Sequence, residues 1–227
     1  MFWNRAIETI RPEELADLQL KRLKWALRQA QEVGLYQRKF REAGISPDDI
    51  RTLDDVEKLP FTYKKELQAG YPFGLFAVPM KEIVRIHTTS GTTGKPTVVG
   101  YTRQDLDNWA DLIARNMTMI GLGVDDVFQN AVNYGLFTGG LGFHYGAEKI
   151  GMTVIPSATG NTRRQIEMIE DFGVTAIHCT PSYALHLAEV AESMGKTLDT
   201  LKTGIFGAEP WSENTRVELE RRLGVKA

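Results

Sequence analysis

The sequence has a single cysteine, Cys179. An intramolecular disulfide and an all-cysteine zinc site are therefore excluded, and the composition suits a reducing compartment. It has no charge excess. Its 27 basic and 29 acidic residues leave a net charge of −2, whereas a dedicated nucleic-acid binder carries a basic surplus or stripe. It has no apolar run near the roughly 18 residues that span a bilayer. Residues 1–20 interleave Arg5, Glu8, Arg11, Glu13, Glu14 and Asp17 with their apolar positions, so no signal-peptide core is present. The expectation is a cytoplasmic protein with neither a membrane nor a nucleic-acid partner. Histidine is also scarce. His87, His144, His178 and His186 stand at no ligand spacing, and no metal site is expected. What remains is ordinary globular material: 42% hydrophobic and 25% charged over 227 residues, enough to bury a real core.

The chain changes character near residue 80. Residues 1–80 read as a helical segment. Ala16, Leu20, Leu23, Leu27 and Ala30 fall at helical spacing, with Pro12 in the first turn and Gly34 expected at the end. A short helix over 36–43 should close at Gly44. Thr52 with Asp55, then Thr62, are expected to cap two more. Residues 81–227 alternate strand and helix. Strands are expected over 83–87, 97–101, 127–132, 152–155, 174–179 and 203–206. Helices are expected after Thr102 (with Asp105), over 139–150, from Thr162 (with Gln165), from Thr180-Pro181 and from Ser212. Such alternation implies an α/β region with parallel strands and crossover helices. Ligands bind such sheets at the carboxyl ends of the strands. The loops to watch are therefore 88–96, 133–140, 180–183 and 207–211. His178, inside a buried strand, reads as a satisfied core residue, and Cys179 as a small core hydrophobe.

The stretch Thr88-Thr89-Ser90-Gly91-Thr92-Thr93-Gly94-Lys95-Pro96-Thr97 carries the most chemistry. Glycines let backbone N–H groups approach an anion, hydroxyls donate further hydrogen bonds, and Lys95 adds a compact positive charge. The string suits an oligophosphate. It is not a Walker A loop, because Thr89 and Pro96 stand where that pattern needs Gly and Ser or Thr, and a strand follows it instead of a helix.

Ser90-Gly91-Thr92-Thr93-Gly94-Lys95-Pro96 resembles the phosphate loop of the adenylate-forming superfamily, which includes acyl-CoA synthetases and luciferases. Within it the chain is similar to the phenylacetate–CoA ligases, through residues 59–62, 71–79, 134–142 and 207–212. The resemblance implies a two-step activation of an aryl acetate. ATP first gives an acyl adenylate and pyrophosphate; coenzyme A thiol then forms the thioester. It also implies roles. Ser90, Gly91, Thr92, Thr93, Gly94 and Lys95 would hold the phosphates. Gly207, Ala208, Glu209 and Pro210 would pass along the adenine and the acid. Tyr134, Phe137, Gly139 and Gly140 would form the aryl-acid pocket, although aromatic and small residues also pack a helix on a sheet.

The family continues beyond what is here, with an acid that helps bind Mg2+, a ribose-binding aspartate and a C-terminal domain bearing the catalytic lysine. The chain thus reads as an incomplete N-terminal domain, whose Mg2+ ligand is expected outside it. The implied behaviour is a binding-competent chain with weak or no turnover, associating with itself or with a missing C-terminal half. The rival reading is a non-catalytic module that binds a nucleotide or acyl adenylate.

Overall fold

The structure, a computed structural model, describes residues 1–91 and 94–227. The chain forms two compact units, one of residues 4–106 and one of residues 107–227 together with 1–3.

The first unit is helical before it is extended. It contains α1 (Arg5–Glu8), α2 (Pro12–Ala30), α3 (Gly34–Ala43) and α4 (Lys64–Ala69), with short 3₁₀ turns between and after them. The expected stripe on α2 packs Leu27 with Phe40 and Ile50 into a small core. Gly34 opens α3 instead of closing α2, because α2 stops three residues earlier at Gln31 and Val33 takes the extended N-cap geometry. Gly44 closes α3 in the left-handed conformation as expected. The helix expected after Thr52 is a 3₁₀ turn over Asp54–Lys58, with the Thr52 N–H donating to the Asp55 carboxylate at 2.8 Å. Tyr63, not Thr62, stands at the N-cap of α4, and its N–H donates to Glu66 at 2.8 Å. Two strands follow, β1 (Arg85–Thr88) and β2 (Val98–Tyr101). They pair antiparallel with each other, Thr88 opposite Val98, and form a sheet of their own.

Helix α5 (Arg103–Met119) opens with the expected reciprocal cap. The Thr102 N–H donates to Asp105 at 2.8 Å, and the Asp105 N–H donates to the Thr102 hydroxyl at 3.2 Å.

The second unit is a four-stranded parallel sheet in the order β4 (Thr153–Ile155), β3 (Val127–Asn130), β5 (Ala176–Cys179), β6 (Thr203–Phe206). Each connection carries a helix: α6 (Gly139–Ile150), α7 (Thr162–Asp171) and α8 (Pro181–Ser193). Helix α9 (Glu213–Leu223) follows β6. Side chains alternate across the sheet. Phe128 and Ala176 pack with Met117 of α5 and Ala147 of α6. Ile177 and Cys179 pack with Ile166 and Ile169 of α7, Leu187 of α8, and Leu219 and Leu223 of α9. Each large side chain so buried contributes about 1.5–3 kcal/mol.

The small residues of α6 have a packing reason. A Cβ on Gly142 would lie 2.4 Å from the Trp109 ring, and one on Gly146 would lie 2.3 Å from Ile113, so α5 sits against α6 at glycine contact distance. Asn161, not Thr162, caps α7, accepting from the Arg164 N–H at 3.2 Å. Gln165 does not complete a box. It is buried, accepts from Gln129 at 2.5 Å and donates to the Ala158 carbonyl at 2.9 Å. Past α9, Lys226 lies beside the start of β6, accepting from the Gly204 N–H at 2.8 Å and donating to the Lys202 carbonyl at 2.9 Å.

Candidate functional site

In the second unit, adjacent strands β3, β5 and β6 bring three expected loops to one sheet edge, the carboxyl end. The loop after β3 is anchored by Asn130, the last residue of that strand and fully buried. Asn130 Nδ2 lies 2.7 Å from the Tyr134 hydroxyl and 2.7 Å from the Gly140 carbonyl, and Oδ1 lies 2.9 Å from His178 Nδ1. The Tyr134 hydroxyl is also 3.2 Å from His144 Nδ1, whose Nε2 is 3.0 Å from Glu148. Burial pushes the Tyr134 phenol up to about 12, so it is a neutral hydroxyl at any working pH. Burial pushes His178 down to about 4, and its ring lies against Phe143 with centroids 4.0 Å apart. The core role expected of His178 is what the structure gives it.

Tyr134 and Gly140 are thus joined through one asparagine. Phe137 stands apart, half exposed in the loop between them. Gly139 and Gly140 differ sharply. A Cβ on Gly139 would meet nothing within 4 Å, while one on Gly140 would lie 2.5 Å from the Asn133 carbonyl oxygen.

The loop after β6 leaves the sheet through Gly207, whose N–H donates to the Cys179 carbonyl at 3.4 Å. Ala208 holds a φ of 70°, a left-handed backbone that a side chain adopts at some cost. Glu209 then reaches the start of α8 and accepts from the Ser182 N–H at 2.6 Å. The Ser182 hydroxyl first, and its backbone N–H second, hold the Glu209 carboxyl below the usual range, and the helix N-terminus favours the charge. Pro210 is exposed beyond it. Cys179 is buried beneath this loop, and burial pushes its thiol up to about 12. It is a core residue and no nucleophile.

The hydroxyl-rich loop belongs to the first unit. Its neck is closed by the Thr89 N–H donating to the Thr97 carbonyl and the Thr97 N–H donating to the Thr89 hydroxyl, each at 3.0 Å. Gly91 and Gly94 hold φ values of 70° and 129°, which explains why glycine stands at both. The Gly94 N–H donates to the Gly91 carbonyl at 3.1 Å. Ser90 and Lys95 are exposed, with Lys95 Nζ 5.4 Å from the centre of the Tyr71 ring. Thr92 and Thr93 lie outside the described residues. Among the described residues, no group of three or more His, Cys, Asp or Glu is placed to hold a metal ion, and no helix is long and apolar enough to cross a membrane.

Reading the sequence alone misses Asn130, His144 and Glu148. Two signals point to them. Gln129 and Asn130 are consecutive polar residues in a strand that ends fully buried, and His144 and Glu148 stand four apart on one helix face.

Compared with known proteins, residues 18–227 match the model of the family described as AMP-binding enzyme. The chain is 52% identical over 225 residues to the phenylacetate–coenzyme A ligase of Escherichia coli (strain K12), with 97% of this chain and 52% of that protein covered. It is 46% identical over 230 residues to the phenylacetate–coenzyme A ligase of Thermus thermophilus, with 100% and 52% covered. Among solved structures, 2-hydroxyisobutyryl-CoA ligase in complex with 2-HIB-AMP and CoA superposes with a TM-score of 0.91 at 32% identity, over 99% of this chain and 50% of that one. The chain spans about half the length of the curated relatives it matches.

Proposed function

We propose, given that this chain belongs to the AMP-binding enzyme family, that it supplies the phosphate loop and the acid pocket of an AMP-forming ligase that joins phenylacetate, or a close aryl acetate, to coenzyme A. The observation that carries the reading is the 52% identity to a phenylacetate–coenzyme A ligase along almost the whole chain. The match covers 97% of this chain, so the pocket loops fall within it.

The chemistry divides among the loops. Acid activation needs the carboxylate to attack the α-phosphate of ATP, with pyrophosphate leaving, and the thiol to displace AMP afterwards. Both steps rest on positioning and charge neutralisation. In the hydroxyl-rich loop, Lys95 neutralises phosphate charge while Ser90, Thr92 and Thr93 donate hydroxyls. Gly91 and Gly94 carry no side chains, so backbone N–H groups there can approach an anion. Tyr134, Phe137, Gly139 and Gly140 receive the aryl ring. Gly207, Ala208, Glu209 and Pro210 wall the adenine and the acid, with Glu209 fixing the loop to α8. Mg2+ would be held by an acid outside this sequence. The curated relatives are about twice as long, so turnover requires the remaining half. That half, or a second copy of this chain, covers what the sheet leaves open at β6.

Calorimetry of the 227-residue chain tests the reading. ATP and phenylacetate should each bind, and Lys95→Ala should weaken ATP far more than phenylacetate. Equal loss of both refutes the assignment of the loop. A folded chain that takes up neither ligand refutes the function. Turnover that returns when the other half is supplied separates a ligase from a module that only binds. Light scattering that reports a clean monomer at high concentration refutes the self-association.

A further inference from the structure

The bonds around Tyr134 form one connected set, and an accept-only carbonyl orients its first members. The Gly140 carbonyl can only accept, so the Asn130 atom facing it is Nδ2, which places Oδ1 toward His178. His178 Nδ1 must therefore carry its proton and donate. The second N–H of Asn130 Nδ2 goes to the Tyr134 oxygen, which accepts it. In a neutral imidazole, a proton on Nε2 facing the accept-only Glu148 carboxylate leaves His144 Nδ1 bare, and the Tyr134 proton is then directed to it across 3.2 Å. His144 carries its proton on Nε2 and donates to Glu148 at 3.0 Å. One chain of four bonds thus runs in one direction from a buried histidine on β5 to a carboxylate on the outer face of α6. It fixes two histidines in opposite tautomers.

We propose that Asn130 and His144 are positioning residues of the acid pocket. Between them they seat the Tyr134 ring and commit its proton, so that Tyr134 presents a substrate with an apolar face and no free donor. The proposal rests on the reading of Tyr134 as a pocket wall. A wall of this kind selects a plain aryl ring over one carrying a polar group that needs a donor there. The selectivity comes from residues that do not touch the acid. His144 is the informative member, because its bond is the one that takes up the Tyr134 proton, and Glu148 orients it from the far side.

The test uses the whole 227-residue chain. Two-bond ¹H–¹⁵N correlation spectra of the four histidines should show one ring, His178, in the Nδ1–H form and His144 in the Nε2–H form. Tyr134→Phe, which removes only the hydroxyl, should shift the His144 Nδ1 resonance. Finding His178 in the Nε2–H form, or His144 unmoved by Tyr134→Phe, overturns the chain. In calorimetry, His144→Phe should change the ratio of dissociation constants for phenylacetate and 4-hydroxyphenylacetate by about fivefold, the worth of one hydrogen bond. ATP affinity should be unchanged. An unchanged ratio in a variant that still binds both acids overturns the positioning role alone. A wild-type chain that binds neither acid overturns the pocket reading itself, and the selectivity claim with it.

Discussion

Gly140 and Gly139 are neighbours of the same type in the first turn of α6, and alanine should act on them with opposite sign. At Gly139 an added methyl enters open space. Replacing glycine there reduces the freedom of the unfolded chain and favours the helix, a gain of up to about 1 kcal/mol. At Gly140 the same methyl would lie 2.5 Å from the Asn133 carbonyl oxygen and 3.3 Å from Tyr134 Cα. Both obstacles are backbone, so no side-chain rotation relieves them, and the loop must retreat by about 1 Å to reach ordinary contact. Overpacking of that kind costs about 1–3 kcal/mol. Set against the helical gain, the net loss for Gly140→Ala is about 1–2 kcal/mol, or about 2–8 °C in Tm for a chain of this length. The displaced segment carries Tyr134, so aryl-acid affinity should fall further in Gly140→Ala than in Gly139→Ala, whose methyl enters the pocket without moving the loop. Urea unfolding followed by circular dichroism and tryptophan fluorescence, with calorimetry on both variants, reads all of this. A Gly140→Ala protein as stable as Gly139→Ala would refute the close approach of helix and loop.

Other perturbations probe the same unit. Gly146→Ala places its methyl 2.3 Å from Ile113 and 3.2 Å from the Ala114 backbone, so it should lower stability by about 2 kcal/mol in urea titration; a neutral result would mean that α5 and α6 lie further apart. His178 is held near a pKa of about 4 by burial, below the unfolded value near 6.5, so the unfolded chain binds the extra proton between those limits. Stability should therefore be complete above about pH 6.5 and fall by about 3 kcal/mol as the pH drops to 4; an equally steep slope in His178→Gln would assign that loss elsewhere. Thr180 caps α8 through the Tyr183 N–H, so Glu209→Ala should lower Tm only by removing the acceptor of the Ser182 N–H, and Glu209→Gln, which keeps an acceptor there, should restore most of it. The charge contributes above its unfolded value of about 4.5 and is lost as the pH falls through its lower folded value. Equal Tm values for Glu209→Ala and Glu209→Gln would refute a stabilising role for the Glu209–Ser182 bond.

Elements were legible where a local rule stood alone. Thr102 with Asp105 capped α5, and 139–150 and 203–206 were readable to the residue, because glycine, proline and short apolar runs bound them without rivals. Legibility failed where a tertiary partner competed. Gln165 has the spacing of a capping box with Thr162, but Gln129 draws its side chain into the core and Asn161 takes over the cap. Gly34 could end one helix or begin the next, and the local sequence is compatible with both. In the candidate site, Tyr134 stood out through its motif. Its partners did not, because His178 reaches Asn130 across 48 positions of sequence and only the pairing of β3 with β5 makes them neighbours.

The placing of β3 between β4 and β5 also governs the order in which the second unit can form. A ribosome delivers β3 first, with Gln129 and Asn130 facing what will become the interior. Their partners, Gln165 and His178, emerge about 36 and 48 residues later. Until then, closing the interior would leave Gln129 Nε2 and Asn130 Oδ1 without these partners, at a cost of about 1–3 kcal/mol for each unsatisfied group. Pairing of β3 with β4 alone leaves those two groups to water. The Asn130 oxygen is satisfied only once β5 lies beside β3, and the same His178 is the first donor in the hydrogen-bond chain to Tyr134.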